Sequence, residues 1–191
     1  MKKKFFDDSA HSWSVPEGEK LLVLQEKIIP LLELKSGEKL LDVCGGPGVL
    51  IPLLKSMKVH ITECDYSEKM IEKAKKLYAG LAEFVVGSIE KMPFKDKSFD
   101  KIICNNSFPH IENKQKAFNE SFRVLKEKGI FLISHNASKN EIDAHHRQCH
   151  QAVKNDMIPS NDEIISFAAK SGFESVEILD EEKFFAVICR K

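Results

Sequence analysis

Apolar residues in this chain fall into short runs separated by longer amphipathic stretches. Leu21, Leu24, Ile28, Leu31 and Leu32 recur at helical spacing and predict an amphipathic helix over about 17–34. Lys35-Ser36-Gly37-Glu38 turns the chain into an apolar run, 39–44, that reads as a first strand. A helix is expected from Val49 to Met57, because Pro52 falls in its first turn, where a missing N–H is tolerated. Val59 to Cys64 reads as a second strand ending at Asp65, and a helix opens at Ser67-Glu68-Lys69-Met70 and stops at Gly80. Residues 83–86, 100–105 and 130–134 read as strands three, four and five, with a helix at about 113–126 between the last two. Strands alternating with helices predict a parallel sheet with helices on both faces, since each crossover must be right-handed.

Two features break this rhythm. Residues 135–159 form a polar, histidine-rich insert, and Ser160-Asn161-Asp162-Glu163 then makes a capping box for a helix ending at Ser171-Gly172. Two final strands, about 174–179 and 183–189, are separated only by Asp180-Glu181-Glu182 and must form an antiparallel hairpin. No repeat or low-complexity tract interrupts the chain. It is expected to be one domain over 1–191, with 1–16 as a cap segment bearing Phe5, Phe6 and Trp13, and 135–159 as a lid.

Composition narrows the partners. The 191 residues suffice for a single core. Lys plus Arg equals Asp plus Glu at 29 each, so no net charge advertises nucleic acid or an anionic membrane. Lys2-Lys3-Lys4 is followed by Asp7 and Asp8 rather than by the apolar stretch of a secretion signal. No apolar run approaches the roughly 18 residues of a membrane span. Five cysteines, an odd number without zinc-site spacing, suit reduced thiols. A cytoplasmic protein is expected, with no resident metal.

The candidate chemistry begins where the first strand ends, at Leu41-Asp42-Val43-Cys44-Gly45-Gly46-Pro47-Gly48. Glycines there let the backbone turn sharply and approach a ligand closely. About twenty residues on, Asp65 closes the second strand, where a carboxylate can accept both hydroxyls of a ribose. A nicotinamide cofactor fits poorly. Its pyrophosphate needs N–H donors at the helix start, Pro47 removes one, and Ile51 stands where the last glycine of that fingerprint belongs. Neither Tyr66 nor Tyr78 precedes a lysine by four.

These segments together resemble the class I S-adenosylmethionine-dependent methyltransferases, in particular the type 11 group acting on small molecules. Residues 41–48 look like that family's glycine loop and 65–70 like its ribose-binding segment. Gly87-Ser88-Ile89-Glu90-Lys91-Met92-Pro93-Phe94, followed by Ser98-Phe99-Asp100, is similar to its adenine-binding stretch, and residues 120–129 resemble its helix-to-strand-five signature. The resemblance implies a Rossmann-like sheet of seven strands, order 3-2-1-4-5-7-6, with an antiparallel carboxyl-terminal hairpin. It implies transfer of a methyl group from S-adenosylmethionine to a small-molecule acceptor, leaving S-adenosylhomocysteine. A catalytically inactive module binding the same cofactor is the main alternative, and an NAD-dependent oxidoreductase a weaker one.

Implied roles follow residue by residue. Asp65 takes the ribose hydroxyls, while Tyr66 and Ile89 bracket the adenine. Ser88 receives the adenine amine where an aspartate is usual. Gly45, Gly46 and Gly48 pass beneath the methionine portion, Asp42 orients the loop or the donor ammonium, and Asn105 sits beside the reacting methyl. Cys44 replaces the usual first loop glycine, which implies a negative φ there. Within the insert, His135 and His146 are candidates for a general base or an orienting donor. A polar lid helix with solvated imidazoles, or a metal pair of His146 and His150 at i,i+4 spacing, are the other readings.

Overall fold

The computed structural model describes residues 2–191. Its strands are β1 (Lys39–Val43), β2 (His60–Asp65), β3 (Glu83–Val86), β4 (Phe99–Asn105), β5 (Leu125–His135), β6 (Ser175–Glu181) and β7 (Phe184–Arg190). They form one sheet in the order 3-2-1-4-5-7-6, as the resemblance implies. β7 runs antiparallel to β5 and β6, and the remaining pairs are parallel. The helices are α1 (Lys2–Ser9), α2 (Gly18–Val23), α3 (Ile51–Leu54), α4 (Glu68–Tyr78), α5 (Lys114–Val124), α6 (Lys139–Gln148) and α7 (Asn161–Ser171).

The inner strands carry apolar residues on both faces because helices cover both. Leu41, Val43, Ile102, Cys104 and Phe131 join Phe118 of α5 and Ile164 and Ala168 of α7 in one buried cluster. Leu40, Ile61, Ile103 and Leu132 join Leu24, Ile28, Ile51 and Leu54 in the other. Alternation along each strand sorts its side chains between these two cores.

Several boundaries differ from the sequence reading. The predicted helix over 17–34 is helical but not uniform: α2 passes into a π turn at Leu24–Ile28 and a 3-10 turn at Ile29–Leu32. Pro30 has no N–H to give the ladder, so the turns around it are re-spaced. The predicted helix 49–57 shrinks to α3 and a 3-10 turn at Lys55–Met57, because the loop, with positive φ at Gly46 and Gly48, runs on to Leu50. β5 begins five residues early, at Leu125, with Lys128 at φ 62 and an irregular register against β4 between Phe99 and Lys101. β6 runs on to Glu181 and β7 starts at Phe184, so only Glu182 and Lys183 join them.

Candidate active site

The carboxyl ends of β1, β2, β4 and β5 open onto one cavity of about 1060 Å³. Parallel strands aim their carboxyl ends one way, so residues distant in sequence converge there. Cys44, Gly45, Gly46, Asp65, Tyr66, Ser88, Ile89, Asn105, His135 and His146 all line it. Two predicted cofactor residues do not. Gly48 turns toward Ile51 and Tyr78, where an added Cβ would come within 2.6 Å of Ile51 Cδ1 at a φ of +78°. Asp42 lies fully buried behind the loop.

The glycine loop is built by backbone strain and a cross-strand carboxylate. Cys44 has φ 58, which corrects the negative φ expected from its side chain. Its N–H still donates to Cys64 O at 2.7 Å, and its carbonyl accepts from Ser107 Oγ at 3.0 Å. Leaving β1 at so sharp an angle demands the left-handed region, which costs a non-glycine residue about 1–2 kcal/mol. Asp65 fixes the far side. Its Oδ2 accepts from Gly46 N at 3.1 Å and its Oδ1 from Ser67 N at 2.8 Å. Burial pushes the Asp65 carboxyl up to about 6, against these two N–H groups.

Ser88 and Ile89 sit on a loop held from below. Arg123 of α5 donates to Phe94 O at 2.7 Å and Met92 O at 3.1 Å, and Glu120 accepts from Met92 N at 2.8 Å. Ser88 Oγ accepts from Glu90 N at 3.2 Å. At the end of β4, Asn105 Oδ1 accepts from Ser134 Oγ at 3.0 Å, and Asn106 Oδ1 from Asn136 N at 3.1 Å.

The opposite half of the cavity holds the histidines. His135 ends β5, is 4% exposed, and its Nε2 has no partner among the described residues. Burial pushes this imidazole down to about 3, so it is neutral. His146 of α6 bonds through Nδ1 to Asp156 O at 2.5 Å. α6 starts at a second capping box, Ser138 with Glu141, that the sequence reading did not pick out. His150, spaced for a metal with His146, instead stacks on Phe5 with centroids 5.2 Å apart.

Sequence reasoning missed the residue that ties this half together. Asp156, from the insert, accepts from Lys2 Nζ at 2.7 Å and meets His110 Nδ1 at 2.9 Å. His110, on the 3-10 turn Phe108–His110, lines the cavity, and burial lowers its pKa more than Asp156 raises it. Its sequence signal is the segment Phe108-Pro109-His110 after strand four, which resembles a site-lining segment of the methyltransferases. α1 lies across both halves. Asp7 accepts from Ser67 Oγ at 2.5 Å on the Asp65 side, Lys2 reaches Asp156 on the other, and Phe5, Phe6 and Trp13 line the cavity between.

The family model described as "Methyltransferase domain", of the type 11 group, matches residues 41–133. The chain is 36% identical over 111 residues to a demethylmenaquinone methyltransferase of Thermotoga maritima, covering 57% of this chain and 48% of that protein. It is 30% identical over 171 residues to 24-methylenesterol C-methyltransferase 2 of Oryza sativa subsp. japonica, covering 83% of this chain and 47% of that one. The chain thus spans about half the length of these curated relatives. Its fold matches a SAM-dependent methyltransferase from Aquifex aeolicus with a TM-score of 0.70 at 22% identity, over 99% of this chain and 96% of the other.

Proposed function

We propose that this chain, whose residues 41–133 match the methyltransferase-domain family model, moves a methyl group from S-adenosylmethionine to a small-molecule acceptor and releases S-adenosylhomocysteine. The observation that carries this reading is the bond from Gly46 N to Asp65 Oδ2, which joins loop and acid across nineteen residues of sequence. The residues present suit the cofactor. A Cβ on Gly46 would meet only Met70 Sδ, at 3.8 Å, so a ligand can lie against the bare loop. Asp65 carries one N–H on each oxygen and keeps lone pairs for two ribose hydroxyls. Tyr66 and Ile89 supply apolar walls for an adenine, and Ser88 a hydroxyl at its edge.

When bound, the cofactor supplies an activated methyl on a sulfonium. The chain's own task is then to orient the acceptor, exclude water and receive a proton where the acceptor must lose one. His110 fits the last role, because Asp156 holds its Nδ1 and leaves Nε2 as the basic atom. Neutral His135 fits an orienting role, with Nε2 ready for a hydrogen bond. A pKa near 3 makes it a poor base at neutral pH, so the two roles divide between different imidazoles.

The acceptor half also has apolar walls, Phe5, Phe6, Ile111, Ile142 and Val153, beside the polar Asn106, Asn136, Glu141 and His146. That lining suits an acceptor with an apolar body and one polar handle, the kind of molecule that the quinone and sterol names of the relatives describe. The test is calorimetry with S-adenosylhomocysteine, followed by radiolabel transfer from S-adenosylmethionine to a panel of quinols, sterols and small amines. Micromolar binding with label in a quinol or sterol supports the reading. No binding of either cofactor form overturns it, and binding without transfer to any acceptor favours the inactive module.

A further inference from the structure

Glu63 has no part in the reading above, yet its carboxyl is fully buried with neither oxygen partnered among the described residues. Asp42 of β1 and Glu63 of β2 are directly opposite in the parallel register, and both are fully buried. Their neighbours in that row are Ile103 on β4 and Phe84 on β3, which bring no charge. Among the described residues, none of the four carboxyl oxygens has a donor from outside the pair. The two groups converge under the glycine loop. A Cβ on Gly45 would collide with Glu63 Oε1 and lie 2.8 Å from Asp42 Oδ2. As two carboxylates they would be buried anions side by side, which is untenable. With a proton on Glu63, one becomes the donor the other lacks.

We propose that Asp42 and Glu63 are a proton-sharing pair of positioning residues beneath the loop, and that seating the cationic donor drives the second proton off the pair into solvent, leaving the one they share. This rests on the cofactor assignment above. The donor carries a sulfonium charge that its product lacks. A positive charge over the loop favours the anionic form of whatever lies beneath, so donor binding and proton release are linked, and product binding is linked less. Burial supports the geometry. It pushes Asp42 up to about 7, with Asp65 adding to the rise, and holds Glu63 well above the usual carboxylate range, so the pair gains and loses a proton near neutrality.

Other titratable groups face this region. Asp65 on the same strand as Glu63 is raised to about 6, and the Cys64 thiol is pushed up to about 12. Cys44, raised by Cys104 and burial, stays protonated, and Tyr78 of α4 is raised by burial. Among these, Asp65 titrates in the same window. It meets the ribose, which donor and product share, so its contribution falls on both ligands and the difference between them reports the pair.

The experiment is calorimetry of S-adenosylmethionine and S-adenosylhomocysteine with the full chain near pH 7, in phosphate and in Tris, whose ionisation heats differ. Proton release should be greater with the donor than with the product. Affinity for the donor relative to the product should rise with pH from 6 to 8, by no more than about tenfold per unit. Asp42→Asn, which leaves Glu63 its proton, should abolish the difference while both ligands still bind. Equal proton release for the two ligands, or an undiminished difference in Asp42→Asn, overturns the proposal. Infrared spectra of the free protein with 13C-labelled glutamate give a second arm. A carboxylic-acid band at neutral pH that Glu63→Gln removes supports the pair, and its absence overturns it. Failure of either ligand to bind would count against the methyltransferase reading, and the infrared arm would still judge the pair.

Discussion

Asp65→Ala is the sharpest test of the site, because the same carboxylate serves the loop and, by the reading above, the ribose. Removing it frees Gly46 N and Ser67 N, bonded at 3.1 and 2.8 Å. It also relieves a carboxyl whose burial has already raised it to about 6. These effects oppose one another in stability. Orphaned N–H groups cost about 1–3 kcal/mol if they stay dry; Gly46 borders the cavity, where water can reach its N–H, whereas Ser67 is buried. The net loss should be about 1–2 kcal/mol, a fall of roughly 2–8 °C in Tm for a chain of this size. Cofactor binding has no such offset. Hydrogen bonds to a charged group contribute about 1.5–3 kcal/mol, so S-adenosylhomocysteine affinity should drop about 10- to 150-fold. Calorimetry at pH 7.5, with circular dichroism to verify folding, measures both. A folded Asp65→Ala protein that binds S-adenosylhomocysteine as tightly as the parent would refute the assignment of Asp65 to the ribose.

Other expectations follow from the same geometry. His110→Gln and Asp156→Asn should each cut label transfer about 100-fold while S-adenosylhomocysteine affinity changes less than about threefold; equal losses in both would reduce His110 to a structural role. Between pH 3 and 6.5, native His135 binds fewer protons than the unfolded chain, so its contribution makes stability rise with pH. In His135→Asn the gain in stability from pH 5 to 7 should therefore be smaller by about 2 kcal/mol, measured by urea unfolding at both pH values. Asp42 has the opposite sign: raised to about 7, it costs stability as pH climbs through the range above 4, so Asp42→Asn should gain on the parent from pH 5 to 8 by the same assay. Gly48→Ala meets Ile51 Cδ1 at 2.6 Å with φ at +78° and should lose about 1–3 kcal/mol with a lower Tm.

The sheet was legible because each strand announces itself by local composition, and the βα alternation leaves few topologies. Asp65 and the glycine loop were legible for the same reason: each closes a strand, and adjacent parallel strands end side by side. What failed to show were features decided across strands. Cys44 adopts φ 58 because the turn is imposed by Gly46 N on Asp65 and Cys44 N on Cys64 O, bonds that outweigh the preference of its own Cβ. Glu63 reads in sequence as a polar residue on an alternating strand, and only the register with Asp42 turns it into half of a buried pair. Asp156 lies 46 residues from His110 in a stretch without strand or helix, so no spacing rule connects them. The cap segment was expected to cover something, and its target is the joint between two halves that local pattern cannot see. Asp7 fastens it to the cap of α4 and Lys2 to the insert. By the proposed reading, the residues assigned to the donor are therefore fixed by neighbouring strand ends, whereas those assigned to the acceptor are drawn from β5, the turn after β4, the insert and the amino terminus. Local pattern finds the first set because adjacency in the sheet follows chain order. The second is assembled by packing alone, so it is there that substitutions must be read from the folded molecule.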